Sequence, residues 1–181
     1  MADSTHPRKW LYDAALAGGG PILDIAVHCV DTLRFILGDE IVRLSAHTVS
    51  DDRSGTVEAA ASLSLEFSRD TLASILVSFR APYRTPLELV GDRGVARADN
   101  ALTVEQPVEI YLLRDREVLE TRTTSNREAY ALQLDAFADA IEGRAEFPVP
   151  GEEGWRNQLI LDAALNSAKS GKVEQIAQIT G

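Results

Sequence analysis

Three consecutive glycines, Gly18 to Gly20, followed by Pro21, constrain the fold of this chain more than any other feature. Glycine allows backbone conformations that other residues avoid and lets the chain approach a ligand closely, and proline suits the first position of a helix. Apolar residues predominate from Ile22 to Leu37. The pattern therefore predicts a helix that starts at Pro21, buries most of its sides and ends at Gly38 in the left-handed conformation.

Five polar residues interrupt this helix, and three of them are regularly spaced. Asp24, His28 and Asp31 lie at positions i, i+4 and i+7, and side chains four residues apart on a helix return to within about 40° of each other. A histidine exchanges protons near neutral pH, and a neighbouring carboxylate orients its ring and stabilises its charged form. The spacing predicts that Asp24 and His28 meet and open onto a cleft.

Structural roles account for the same residues. Asp24 falls in the first turn, where the helix dipole favours a negative charge, and Asp31 is interpreted as an anchor of the helix. A buried histidine that bonds a local carboxylate is at least as common as a catalytic one. A zinc site is less favoured, because the chain has only three histidines and its single cysteine points roughly 100° away from His28.

Composition excludes several classes of function. The 181 residues carry a formal net charge of −10, whereas nucleic acids and anionic membrane surfaces are bound through clustered lysine and arginine. No apolar run is long enough to span a membrane, and the first seven residues do not resemble a signal peptide, so the sequence predicts a cytoplasmic protein. The length suits one domain, with residues 1–9 as a flexible lead-in.

Alternating apolar and polar residues predict strands after the first helix. The clearest pair is Thr56 to Ser68 and Thr71 to Arg80, which form an antiparallel hairpin around a short turn. Ile41 to Val49 precedes this pair and places His47 on its exposed side. Further short strands are predicted at Leu87 to Val90, Val95 to Ala98, Leu102 to Glu105, Val108 to Leu113 and Val118 to Thr123.

Two helices are predicted near the end of the chain. The first begins with a capping box at Ser125 to Glu128 and ends at Gly143, and its apolar stripe is expected to pack on the sheet. The second runs from Trp155 to near Gly171, and Lys172 to Ile176 adds an edge segment. The stripe of the first comprises Tyr130, Leu134, Phe137, Ala138 and Ile141, and that of the second Trp155, Leu159, Ala163 and Asn166 with Leu161, Leu165 and Ala168.

These elements predict an α+β fold: a mainly antiparallel β-sheet with helices on one face and the other face used for oligomerisation. The second face is rich in small residues and partly apolar, which suits packing against another sheet. On the long hairpin it consists of Ala60, Ser62, Ser64, Leu72, Ser74, Leu76 and Ser78. We therefore expect a homo-oligomer built through this face.

The motif Gly-Gly-Gly-Pro-Ile-Leu-Asp, with His28 and Asp31 downstream and a Leu-Gly helix end, resembles the carboxy-terminal domain of the Gfo/Idh/MocA oxidoreductases. This is the family of glucose-fructose oxidoreductase and inositol dehydrogenase. Similarity continues at Leu89 to Gly94, Tyr130 to Ile141 and Leu159 to Val173, so it covers nearly the whole chain from Trp10. The resemblance implies a substrate-binding and oligomerisation domain over residues 10–181.

The resemblance also implies roles for individual residues. Asp24 and His28 match an aspartate and a histidine that line the family's substrate site and assist proton transfer from the reacting hydroxyl. Gly19 and Gly20 leave space beside them for a ligand. Tyr12 either faces the substrate or packs, and the loop residues Tyr83 and Arg84 either contact the substrate or cap the sheet.

The sequence departs from the family in two respects. Neither Gly-x-Gly-x-x-Gly nor Gly-x-x-x-x-Gly-Lys occurs, so no glycine loop is suited to a pyrophosphate. The family's catalytic lysine, which precedes a proline, matches none of Lys9, Lys169 and Lys172. We expect the dinucleotide-binding domain to be absent, so that NAD or NADP serves the intact enzyme but does not bind this chain alone.

Two functions fit this sequence. The first is the substrate-binding part of an oxidoreductase that acts on a CH–OH group of a sugar or polyol. The second is a free-standing, non-enzymatic domain that binds a sugar or acts as a scaffold. The substrate, the choice of NAD or NADP and the number of subunits stay open at this point.

Overall fold

The computed structural model describes residues 7–52 and 55–177. The chain divides into two compact units, which we call the first unit (Met1–Arg80 with Pro150–Gly181) and the second unit (Ala81–Val149). Most of the predicted lead-in and His6 lie outside the described residues. Among the described helices, none combines the length and apolar character needed to cross a bilayer.

Regular elements occur in both units. In chain order they are α1 (Ala14–Ala17), α2 (Val27–Leu37), β1 (Ile41–Val49), β2 (Ala60–Phe67), β3 (Leu72–Ser78), β4 (Leu87–Gly91), β5 (Gly94–Ala98), β6 (Val108–Arg114), β7 (Glu117–Thr124), α3 (Ala129–Ile141), α4 (Gly151–Ser170) and β8 (Glu174–Gln175). A 3₁₀ turn at Lys9–Tyr12 precedes α1, and a π-helical turn at Ile22–Ala26 precedes α2.

The first unit contains an antiparallel sheet in the order β3-β2-β1-β8. The alternation that predicted β2 sets its two faces, because Leu63 and Leu65 are buried and Ser62 and Ser64 are exposed. Helix α4 lies against β1, where Ser167 Oγ accepts a hydrogen bond from Ala46 N–H at 3.0 Å. One face of this sheet thus forms the core with the helix, as predicted.

The opposite face of this sheet is exposed in the single chain. Two large apolar side chains of β3, Leu72 and Leu76, are 76% and 81% exposed. Ser64 pairs with Ser74 and Ser62 pairs with Leu76 across the β2–β3 ladder. The face therefore has the mixture of small and apolar residues expected from the sequence.

The second unit contains a second antiparallel sheet, in the order β4-β5-β6-β7. Asp115 and Arg116 join β6 to β7, and both have positive φ angles, 50° and 73°, which match the twist of a tight hairpin. Helix α3 follows this sheet, and its Phe137 ring meets Phe147 edge to face at 5.6 Å between centroids.

The α+β class and the antiparallel pairing are confirmed, but the strands divide between two sheets. Leu102 to Glu105 is not a strand. A side chain takes up backbone carbonyls here instead, because Asn126 Nδ2 donates to Thr103 O at 3.0 Å and to the preceding Ala101 O at 3.1 Å. The edge segment near the chain end is confirmed as β8, which pairs with β1.

Three predictions about the later helices are wrong. The capping box does not form, because Ser125 Oγ accepts a bond from Arg127 N–H and no side chain caps α3. The apolar stripe of α3 is not buried, since Tyr130, Phe137 and Ile141 are more than half exposed. Helix α4 begins four residues before Trp155, which is itself 54% exposed, and its buried residues are Asn157, Ile160, Leu161, Ala164 and Ser167.

Candidate functional site

The glycine turn before α2 is held by a carboxylate from a distant part of the chain. Gly20 N–H donates to Glu58 Oε2 at 2.9 Å, and Ile22 N–H donates to Glu58 Oε1 at 3.0 Å. A Cβ atom on Gly20 would lie 2.3 Å from the backbone oxygen of Glu58, far inside van der Waals contact. Gly20 is thus required by the close approach of these two segments.

The predicted helix forms, but its first turn is wider than an α-helix. Ile22–Ala26 is a π-helical turn that contains Asp24, and α2 continues from it to Leu37. Gly38 ends the helix with φ of 54°, in the left-handed conformation that the sequence predicted. Single π-helical turns inside α-helices occur frequently at functional sites.

Helix α2 buries one side rather than most of its sides. Val30, Leu33 and Arg34 are buried, whereas His28 is exposed and the Phe35 ring is 85% exposed. Only the side of α2 that packs in the first unit loses contact with solvent, and the apolar residues on its other sides therefore remain accessible. The prediction of an almost wholly buried helix is wrong, and the correction places His28 on an accessible surface.

The Asp24 carboxylate is paired with Arg8. Arg8 Nη2 donates to Asp24 Oδ1 at 3.0 Å, and the Asp24 side chain is 25% exposed. Within residues 7–52 and 55–177, no hydrogen bond joins Asp24 to His28, and the predicted meeting of the two side chains stays a prediction. A guanidinium is a stronger partner for a carboxylate than a neutral imidazole, because its hydrogen bonds are charge-assisted.

A buried arginine fastens α2 to α4 on the side away from solvent. Arg34 donates to both oxygens of Glu40 at 2.8 Å, to Asn157 Oδ1 at 2.7 Å and to Glu153 Oε2 at 2.9 Å. The hydrogen bonds with Glu40 are the main cause of a raised pKa for Arg34. Asn157 Nδ2 also donates to Asp31 Oδ1 at 2.7 Å, consistent with the interpretation of Asp31 as an anchor.

The remaining predicted site residues fall in both units. In the first unit, Gly19 and Gly20 are buried, and the Tyr12 ring meets Phe79 edge to face at 5.4 Å between centroids. In the second unit, Tyr83 and Arg84 lie in a loop with exposed side chains. The packing role of Tyr12 is therefore observed, while substrate contacts by these five residues stay predictions.

Two cavities of the structure are lined by residues other than Asp24 and His28. One lies in the first unit, with a volume of about 100 Å³, and the other lies in the second unit, with a volume of about 370 Å³. The cleft expected beside His28 thus stays a prediction. Across the described part of the chain, no three His, Cys, Asp or Glu side chains cluster as metal ligands would. The smaller cavity is lined by Glu40, Ile41, Arg156, Leu159, Ile160, Ile176 and Ala177.

Sequence reasoning missed Glu58, Arg8 and Asn157. Glu58 occupies one of the polar positions in the alternating pattern of Thr56 to Ser68. Arg8 falls in a segment with no periodicity. Their partners lie far away along the chain: Glu58 is 38 residues from Gly20, and Asn157 is 126 residues from Asp31. Local patterns carry no signal for such pairs.

The sequence of this chain is similar to those of known enzymes. The chain is 31% identical over 175 residues to the 1,5-anhydro-D-fructose reductase of Ensifer adhaerens, covering 94% of this chain and 52% of the relative. It is 30% identical over 188 residues to the inositol 2-dehydrogenase of Rhizobium meliloti, covering 96% and 55%. This chain therefore spans about half the length of the curated relatives that it matches.

Solved structures show the same architecture. An aldose-aldose oxidoreductase from Caulobacter crescentus, complexed with glycerol, superposes with a TM-score of 0.80 at 22% identity, covering 94% of this chain and 52% of that one. A levoglucosan dehydrogenase in complex with NADH and levoglucosan gives 0.79 at 19% identity, covering 98% and 56%. The GFO/IDH/MocA C-terminal domain matches residues 1–97. The chain, with its glycine turn and the helix of Asp24 and His28, belongs to the GFO/IDH/MocA C-terminal domain family.

Proposed function

We propose that this chain is the substrate-binding and oligomerisation part of an NAD(P)-dependent oxidoreductase that acts on a CH–OH group of a sugar or polyol. The observation that carries the proposal is the exposed His28 imidazole, one helical turn after Asp24 on the helix that the glycine turn begins. Membership of the family supports it, and relatives are named for reduction of an anhydro-sugar and dehydrogenation of inositol.

The glycine turn does not fit the phosphates of a dinucleotide. Its Gly20 and Ile22 N–H groups already donate to the Glu58 carboxylate, and that negative charge repels a phosphate from the helix start. We infer that a separate dinucleotide-binding domain holds NAD or NADP. The nicotinamide supplies the hydride chemistry there, and the present chain supplies groups that bind the substrate and move its proton.

His28 is the residue best placed to accept the substrate's hydroxyl proton. Its side chain is exposed, and no described residue forms a hydrogen bond or ion pair with it, so the imidazole is available to a ligand. A neutral imidazole accepts a proton near neutral pH, and a carboxylate nearby stabilises the resulting cation. Asp24 supplies that charge while Arg8 balances it in the free protein.

Activity of the complete reading frame that encodes this chain tests the proposal. Its product is incubated with NADH or NADPH and a panel of keto-sugars, and with NAD or NADP and the matching polyols, while absorbance follows the nicotinamide. We expect turnover with at least one pair. Binding of a polyol without turnover of any pair would contradict the proposal and favour the non-enzymatic sugar-binding alternative.

The isolated 181-residue chain should not bind the cofactor. We expect calorimetric titration with NADH and with NADPH to show no saturable heat, because Glu58 occupies the donors of the glycine turn. The product of the complete reading frame is the positive control and should bind. Micromolar affinity of the isolated chain would mean that this chain contains a cofactor site.

We also propose that the exposed face of the β3-β2-β1-β8 sheet forms a homo-oligomer. Leu72 and Leu76 project from β3 with more than three quarters of each side chain exposed. Ser74 lies between them along the strand, and Ser62 lies opposite Leu76. Small side chains allow two sheets to approach closely, and burial of the leucines stabilises the contact.

Charges on this face should dissociate the oligomer. We expect Ser62→Arg combined with Ser74→Arg to give monomers in light scattering at concentrations where the unmutated chain is oligomeric, because burial of unpaired charges is costly. Asn166→Arg, on the exposed side of α4, is the control and should leave the mass unchanged. A monomeric unmutated chain would contradict the proposed interface.

A further inference from the structure

Glu58 connects the sheet of the first unit to the start of the site helix, by which we mean the π-helical turn Ile22–Ala26 together with α2. It lies two residues before β2, with neighbours Val57 and Ala59 only 4% and 1% exposed. Ala59 N–H donates to Val49 O at 2.7 Å, so the backbone next to Glu58 is attached to β1. The carboxylate that holds Gly20 and Ile22 is therefore itself fixed to the core.

The start of the site helix has no local cap. The first N–H groups of a helix lack partners within the helix, and a Ser, Thr, Asp or Asn just before it normally accepts one of them. Here Pro21 occupies that position and no side chain next to it forms a capping hydrogen bond. Glu58 accepts two N–H groups of this turn from across the unit, on the N-terminal side of both Asp24 and His28.

We propose that Glu58 is a positioning residue. It holds the glycine turn and thereby fixes the positions of Asp24 and His28 relative to the substrate. The expected effect on the reaction rests on the proposed function, whereas the effect on the position of the helix does not. The π-helical turn at Ile22–Ala26 lies between Glu58's contacts and His28, and a wider turn leaves the helix more ways to shift if its start is released. The two bonds from Glu58 remove that freedom.

Glu58→Gln isolates the effect of the carboxylate. Glutamine has nearly the same shape, but its NH₂ group faces one of the two N–H donors and cannot accept from it. Glu152→Gln is the control, because Glu152 is exposed in the first turn of α4 and lies outside the sheet face proposed as the interface. Glu58→Asp, which keeps the charge and shortens the reach, serves if the glutamine variant does not fold.

Nuclear magnetic resonance of the chain gives the first readout. We expect the Gly20 and Ile22 amides to exchange at least about tenfold faster in Glu58→Gln than in the unmutated chain, since each loses or weakens a bond to a charged group. We also expect the imidazole signals of His28 to move while those of His47, exposed on β1, stay in place. Glu152→Gln should change neither set.

Kinetics of the complete reading frame's product give the second readout. We expect Glu58→Gln to lower kcat by about tenfold with an unchanged KM for the cofactor, because misplacement of the proton acceptor affects the chemical step. Faster exchange of the two amides with unmoved His28 signals would overturn the proposal and leave Glu58 as a structural cap. An inactive unmutated protein would contradict the proposed function alone, and the His28 signals would still decide the role of Glu58.

Discussion

Replacing His28 with alanine is expected to lower kcat of the complete enzyme by about a hundredfold or more, which is the usual loss when a general base is removed. Thermal stability should stay nearly unchanged, because the imidazole is exposed and forms no hydrogen bond with any described residue. The measurement is steady-state kinetics with the best substrate of the panel, together with a thermal melt of each variant.

Asn166→Ala is the control for this prediction. Asn166 is also exposed, but it lies on α4, outside both the helix of His28 and the sheet face proposed as the interface, so its loss should change neither kcat nor the melting temperature. Asp24→Asn should lower kcat less than His28→Ala, since it keeps the shape of the side chain and removes only the charge beside the imidazole. Unfolding of His28→Ala, with full activity per folded molecule, would show that the histidine is structural.

Much of the first unit follows from local patterns. The helix that ends at Gly38, the two faces of β2 and the edge strand β8 were predictable, because each depends on periodicity or on a terminating residue within a few positions. The exposure of the Phe35 ring on α2 was not. It depends on which side of α2 the rest of the unit covers, and a helix rich in apolar residues gives no indication of that.

The errors concentrate where local and distant partners compete. Ser125 and Glu128 have the spacing of a capping box, but the serine hydroxyl bonds the N–H of Arg127 instead. Asp24 has the spacing to form a hydrogen bond with His28, but its carboxylate accepts one from Arg8. In each pair the sequence gives the correct candidates, while the energies of the alternative partners decide the contact.

The second largest expected effect concerns the buried network around Arg34. This side chain is 4% exposed, and its carboxylate partners Glu40 and Glu153 are 40% and 30% exposed. Removal of one partner from a buried ion pair costs about 3–5 kcal/mol, because the remaining charges lose their compensation. Both carboxylates are partly hydrated here, so the lower end of that range applies.

Arg34→Met is therefore expected to lower the free energy of unfolding of the first unit by about 3 kcal/mol. Methionine keeps an unbranched apolar stem of similar length, which limits the loss of packing. Urea unfolding followed by tryptophan fluorescence reports on this unit alone, because both tryptophans, Trp10 and Trp155, belong to it. Arg43→Met is the matched control. At concentrations where the chain is monomeric, loss of its exposed pair with Glu66 should cost at most about 1 kcal/mol.

The difference in free energy of unfolding between Arg34→Met and the unmutated chain should become smaller at acidic pH. Burial by itself raises the pKa of Glu153, but hydrogen bonds and charges from Arg34 and Arg156 outweigh it and leave the pKa lowered from 4.5. A carboxylate with a lowered pKa in the folded state stabilises the fold above its ordinary pKa, and this contribution disappears as the pH falls through the folded value. Urea titrations between pH 7 and pH 3 should show a constant difference down to about pH 5 and a decline below it. A difference that stays constant to pH 3, or an Arg43→Met variant as unstable as Arg34→Met, would contradict the assignment of this stability to the buried ion pairs.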